Sequence, residues 1–384
     1  MKVRRQADGA TDHQAKTPPG DNRGRLPPYE TIALVLQGGG ALGAYQAGVF
    51  EGLHEADIPL GWIAGISIGA LNAAIIAGNA FEHALFNGSE ATRTALSFLQ
   101  ASSAAIQGQS GFFHPRFPIP MPWLEGPSAA NSWYDMSPLK ATLERFCDFD
   151  RINAGETRVS VGAVNVATGN FSYFDNTRIA LRAEHFMASG ALPPAFAPVE
   201  IDGEFFWDGG IVSNTPLQEV LRASPRRDTL VFQVDLWSAR GSIPNNLANV
   251  AERTKDIQYS SRTRFVTDAL QGEQRYRTVL RKVLERVPEA LRKDDPWFNL
   301  AAELSCGKRY NVQHLIYRQQ KFEHDYKDYQ FGSSTMNKHW AEGLSDIRRT
   351  LANRSWLELP DSDAGFITHD IHRTKPKAKP GSSA

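Results

Sequence analysis

The chain has 384 residues, with 42 Lys and Arg against 42 Asp and Glu, so no excess of positive charge announces a nucleic-acid partner. That length suits two or three domains, or one α/β enzyme with insertions. Two cysteines, Cys147 and Cys306, make no disulfide framework and fit a reducing cytosol.

Met1 to Glu30 is a polar run without the apolar centre of a secretory signal, and it is expected to be a disordered tail. The most apolar window, Trp62 to Gly78, is short for a membrane span and contains Ser67, Asn72 and three glycines. A cytoplasmic protein, at most peripheral to a membrane, is expected.

Thr31 to Leu36 (TIALVL) has the unbroken apolar character of a parallel strand buried on both faces. Tyr45, Val49 and Leu53 then fall on one side of a helix that ends before Pro59. Trp62 to Ile66 reads as a second strand and Ala70 to Ile76 as a second helix. Strand, turn and helix repeated in this order predict a parallel α/β sheet. Residues 86–133 form an insertion, with a helix-like piece from Ala91 to Ile106 and then a stretch rich in Pro and aromatics. It is either a surface excursion or a lid whose Phe112, Phe113, Phe117, Ile119, Met121 and Trp123 wall an acyl site. Ser137-Pro138 opens a helix through Phe146. Thr157 to Asn165 and Asn170 to Phe174 read as a hairpin, Ala183 to Ala188 as a short helix, and Leu230 to Leu236 as a further strand of the sheet.

Ala251 to Arg292 is expected to be mostly helical, with Tyr276, Val279, Val283 and Val287 on one amphipathic face. From Ala251 to Lys293 there are 11 basic and 6 acidic residues, a solvated surface or one that touches anionic lipid. His314 to Arg318 reads as a strand and Ser333 to Leu351 as a last helix. The organisation expected is a tail (1–30), a catalytic domain (31–221), a C-terminal extension (222–359) and a disordered tail (360–384).

Two glycine-rich turns each follow a strand and open a helix. Gly65-Ile66-Ser67-Ile68-Gly69 is a G-x-S-x-G, the form of a nucleophile elbow, where small residues allow the sharp bend and the following helix points its N–H groups at the serine. Gly38 to Gly43 satisfies the dinucleotide pattern G-x-G-x-x-G. That site needs an acidic residue at the end of the second strand, where this chain has Gly65-Ile66-Ser67, so no cofactor is expected. Consecutive glycines at 38, 39 and 40 suit backbone N–H groups free to donate to an oxyanion. No histidine after Ser67 stands in a strand-end or turn context that marks it as the base, whereas Asp208, in Trp207-Asp208-Gly209-Gly210, does. A carboxylate acts as base only in a shielded site that raises its proton affinity; alone, Asp-Gly-Gly is equally an ordinary turn. No His or Cys spacing matches a metal site.

GGGALG, GISIG and DGG in this order, with ASGALPPAF before the last, resemble the patatin-like phospholipases, and the resemblance runs from Ile32 to Leu221. It implies a three-layer α/β/α fold with a mostly parallel central sheet, and a helical C-terminal extension like that of bacterial members. It further implies a Ser–Asp dyad: Ser67 as nucleophile, Asp208 as base, Gly38, Gly39 and Gly40 as the oxyanion hole, and Gly43, Gly65, Gly69, Gly209 and Gly210 as motif glycines. Many members carry Lys or Arg where this chain has Leu42. A cation there would sit near a phospholipid phosphate, so neutral lipids, lysolipids, other acyl esters and storage polyesters are open as substrates. An idle dyad in a lipid-binding protein is the reading from another functional class.

Overall fold

The computed structural model describes residues 29–79, 108–121, 123, 131–260, 263–292, 295–305, 307–318, 327–362 and 364–372. The expected helix from Ala91 to Ile106, Cys306, and all of the N-terminal tail but Tyr29 and Glu30 lie outside the described residues. Strands β1 (Thr31–Leu36) and β2 (Trp62–Ile66) are linked by helix α1 (Gly43–Glu55), and helix α2 (Ile68–Ala77) follows β2. In the insertion, β3 (His114–Pro115) and β4 (Tyr134–Asp135) form a small antiparallel pair. The remaining strands are β5 (Arg158–Asn165), β6 (Phe171–Asp175), β7 (Val199–Ile201), β8 (Glu204–Asp208), β9 (Thr229–Asp235), β10 (Tyr310–Ile316) and β11 (Phe366–Asp370).

Nine strands form one sheet in the order β11-β10-β9-β1-β2-β5-β8-β7, with β6 also paired to β5. From β11 to β5 every neighbouring pair is parallel; β6, β7 and β8 run antiparallel to their partners. Alternation along β1 explains the layers. Ile32, Leu34 and Leu36 join a core with α1, α2 and the helix Ala183–Gly190, while Ala33 and Val35 pack on the other face against Leu217, Val220, Leu221 and Leu270. Helices cover both faces, so the architecture is three-layered and mostly parallel.

One expectation changes. The sequence past Asp361 looks too polar to fold, yet Phe366–Asp370 is the edge strand, paired with β10 and seated by buried Phe366. The strand expected at Leu230 to Leu236 joins the sheet as β9, which pairs along the whole of β1. The C-terminal half is the other half of one sheet. The apolar stripe of the helix Thr263–Leu284 has the expected period, but Tyr276, Val279 and Val283 face outward.

Candidate active site

The site lies at the carboxyl ends of β1 and β2, beside the point where successive strands turn to opposite sides of β1, the usual ligand position in such sheets. Ser67 joins β2 to α2 with φ 57° and ψ −125°. For a residue with a Cβ, such a conformation costs roughly 1–3 kcal/mol and persists only where its surroundings impose it. Here the Ser67 N–H donates to Ser189 Oγ at 3.0 Å, and the Ser189 hydroxyl donates to the Gly162 carbonyl at 2.7 Å. Ser189 thus ties the elbow to β5. The flanking glycines are packing requirements, since a Cβ at Gly65 would stand 2.3 Å from the Gly69 carbonyl oxygen, and one at Gly69 2.3 Å from that of Leu36.

Asp208 ends β8. Sheet register brings it to the serine: Ile66 pairs with Gly162 on β5, and the next β5 residue, Ala163, pairs with Asp208. Asp208 is 1% exposed, accepts a hydrogen bond from the Gly210 N–H at 2.7 Å, and lines the same cavity as Ser67. Burial raises its pKa to about 7, against the pull of the Ser67 side chain and the Gly210 N–H. A carboxyl poised there can take a proton near neutral pH.

The glycine turn comes within reach of both: Gly38, Gly39, Gly40, Ser67, Asp208 and Gly210 line one cavity enclosing about 720 Å³, part of it open to solvent. The other motif glycines stand behind it. Gly209 packs on the Gly162 carbonyl, and Gly43 begins α1, its carbonyl accepting from Asn72 Nδ2 at 3.1 Å. The three turn glycines are not equivalent. The Gly38 N–H donates to the Asn214 carbonyl at 3.2 Å, whereas those of Gly39 and Gly40 have no backbone partner among the described residues. Leu42 is fully buried in the main core and does not line the cavity, so the missing cation there is a packing matter in this fold.

The rest of the wall is apolar and aromatic. Phe112 and Phe113 of the insertion line it with Leu71 and Phe196. The expected acyl wall therefore divides, because Phe117 (95%), Ile119 (76%), Met121 (56%) and Trp123 (79%) stand exposed instead. The opposite wall is C-terminal: Trp237, Tyr259, Asp328, Tyr329 and Phe331. There the turn Lys327–Tyr329 is held to the helix Leu247–Tyr259 by two ion pairs, Lys255 Nζ to Asp328 Oδ2 at 2.7 Å and Lys327 Nζ to Asp256 Oδ1 at 2.6 Å. Sequence reading did not find Ser189, Asn214, Trp237 or this turn. Ser189 lies within the ASGALPPAF segment but has no role assigned by it, Asn214 reads as part of a helix opening (Asn214-Thr215-Pro216-Leu217), and nothing local marks Trp237 or the turn.

Among the described residues no histidine lines the cavity. His314 pairs with Asp235 at 2.5 Å, His339 meets Tyr317, and His372 meets Asp346. No group of three His, Cys, Asp or Glu side chains converges on a metal position among them either.

A family profile described as patatin-like phospholipase matches residues 34–221, and a second, described as patatin phospholipase, matches residues 257–363. Over 50 residues, 13% of this chain, the sequence is 52% identical to lysophospholipase nte1 of Aspergillus terreus; the match spans 3% of that protein's length. Among solved structures, VipD from Legionella pneumophila is similar over 86% of this chain and 68% of its own, at 13% identity and a TM-score of 0.38. The type III effector protein ExoU is similar over 86% and 54%, at 12% identity and a TM-score of 0.31. The two profiles describe one family and together take in the glycine turn, the elbow, the Asp208 turn and much of the C-terminal half; the chain belongs to the patatin-like phospholipase family, a family of lipid ester hydrolases.

Proposed function

We propose that the protein hydrolyses lipid acyl esters with a Ser67–Asp208 dyad. The observation that carries this reading is the buried Asp208 carboxyl, raised to about 7 and sharing a cavity with a serine held in an elbow. Asp208 takes the Ser67 proton as Oγ forms a bond to the ester carbonyl carbon. The carbonyl π pair moves onto oxygen, where the Gly39 and Gly40 N–H groups receive it; Gly38, whose N–H is engaged by Asn214, shapes the turn. As the tetrahedral intermediate collapses, the C–O bond to the leaving alcohol breaks and Asp208 returns the proton to that oxygen. Water then gives a proton to Asp208 as its oxygen bonds to the acyl carbon, and on collapse the C–Oγ bond breaks, Asp208 returns that proton to Ser67 Oγ, and the fatty acid leaves.

A fluorophosphonate labels only an activated serine, so it separates this enzyme from an idle lipid-binding protein. Labelling of wild type at Ser67 is expected, and an unlabelled, folded wild-type protein would leave only lipid binding.

Within the enzyme class, an uncharged ester is the substrate the site favours. Asp208 and Asp328 are the charged residues among those that line the cavity, and Lys255 already pairs with Asp328, so a phosphate close to the scissile bond would meet no cation among the lining residues. Faster turnover of a monoacylglycerol than of the matching lysophospholipid is expected; the reverse order would restore phospholipid as the substrate.

Contact with a lipid surface belongs to the same reading. Phe117, Ile119, Met121 and Trp123 stand exposed a few residues beyond the cavity-lining Phe112 and Phe113, a concentration of apolar surface suited to a membrane interface. The double variant Phe117→Ser, Trp123→Ser should lose binding to anionic vesicles while keeping its rate on a short soluble ester. Undiminished vesicle binding would remove the loop from this role.

A further inference from the structure

The peptide between Gly38 and Gly39 is held by two side chains that the catalytic dyad does not use. The Gly38 carbonyl accepts from Asn214 Nδ2 at 3.0 Å and from Trp237 Nε1 at 2.8 Å. Both donors are themselves anchored. Asn214 Nδ2 also donates to the Tyr259 carbonyl at 2.9 Å, and the Trp237 backbone N–H donates to Gln37 Oε1 at 3.0 Å. Gln37 is fully buried and its amide nitrogen is held by Thr215 Oγ1 at 2.8 Å and the Tyr259 carbonyl at 3.1 Å, so the anchoring extends to three separate segments.

The geometry of a trans peptide gives this clamp a consequence. Its C=O and N–H lie in one plane and point in opposite directions. The Gly38–Gly39 bond is not among the cis peptides of the described residues, and the glycine pair has wide φ and ψ freedom of its own. Two donors fixed on the Gly38 carbonyl therefore fix the direction of the Gly39 N–H on the far side. We propose that Asn214 and Trp237 are positioning residues that aim the Gly39 N–H at the oxyanion. Trp237 lies beyond β9, outside the residues that either family profile matches, so the C-terminal half completes the catalytic apparatus as well as the sheet.

This inference rests on the proposed acyl-ester hydrolysis at Ser67, and the test keeps the two apart. Trp237→Phe removes one donor and retains the ring; Asn214→Ala removes the other. Each is assayed in the full chain for kcat, KM, thermal midpoint and inhibition by a trifluoromethyl ketone, which forms a charged hemiketal on the serine. Removing an oxyanion donor outright costs about 10²–10³ in kcat, so loosening one should cost roughly ten- to a hundredfold. KM should stay within about twofold, and ketone affinity should fall by the same factor as kcat/KM, because only the charged adduct uses the aimed N–H. Two outcomes overturn the proposal: unchanged kcat in Trp237→Phe, or a loss of kcat with ketone affinity unmoved. A fall in thermal midpoint that accounts for the whole loss at the assay temperature makes the residues structural, and Trp237→Phe is the variant that guards against this for Asn214→Ala. Wild-type activity in Ser67→Ala is a different failure, that of the underlying reading.

Discussion

At Ser67 the chain gives up stability to hold the residue in place. A positive φ suits glycine, so Ser67→Gly is expected to raise the thermal midpoint relative to Ser67→Ala while both lose activity. Equal midpoints would mean that the elbow stores no strain. Asp208 carries a second cost, and its sign follows from the direction of the shift. A carboxyl raised from 3.8 to about 7 holds its proton in the folded state over a range where the unfolded chain has released it. Stability is therefore greatest below the unfolded value and is lost as pH rises through about 7. Asp208→Asn should melt higher than wild type at pH 8, with the gap closing towards pH 4. The same ionisation should appear in wild-type kcat/KM as a rise with pH, half complete near 7. Cys147 is simpler: burial pushes its thiol up to about 12, so it should stay unmodified by iodoacetamide until the protein unfolds. Ser67 and Asp208, the proposed dyad, were legible because each sits in a local motif. The roles of Ser189 and Asn214 were not, since their partners (the elbow and β5 for one, the glycine turn and the end of the helix Leu247–Tyr259 for the other) are distant in sequence.

Among the elements, strands read most directly, because β1, β2, β5 and β9 are apolar runs with turn residues at their ends. Helix contacts were far less legible. α1 crosses the helix Ser333–Ala352 so closely that a Cβ at Gly48 would stand 1.9 Å from the Trp340 carbonyl oxygen, and one at Gly343 2.0 Å from that of Tyr45. Nothing in either segment alone announces that approach. Gly343→Val should destabilise by roughly 1–3 kcal/mol or more, read from the denaturant midpoint, because backbone on the facing helix leaves nothing flexible to move aside. The insertion was legible only in part: its composition left a surface excursion and an acyl-site lid both open, and did not say that Phe112 and Phe113 line the cavity while Phe117, Ile119, Met121 and Trp123 face out. Alternation and helical period cannot assign sides within an irregular, proline-rich stretch.

Across the whole molecule, the segment up to Leu221 and the C-terminal half share one sheet. A strand paired with both β2 and β9 is central, and a break after 221 would leave β1 as an open edge with its apolar residues uncovered. A fragment ending at 221 should therefore lack a cooperative melt, and it would also lack the Trp237, Tyr259 and Asp328 wall. Long-range pairing of this kind leaves no mark in a local window, so the apolar run Leu230 to Leu236 announced a strand of the sheet but not its place beside β1. The most direct measurement of the central claim is the acyl-enzyme itself: mix with a chromogenic acyl ester, quench rapidly in acid, and map the added mass by peptide. The account predicts the acyl group on Ser67 in wild type and none in Asp208→Asn within the same interval. An acyl group on another residue, or on Ser67 at wild-type rate in Asp208→Asn, would contradict it.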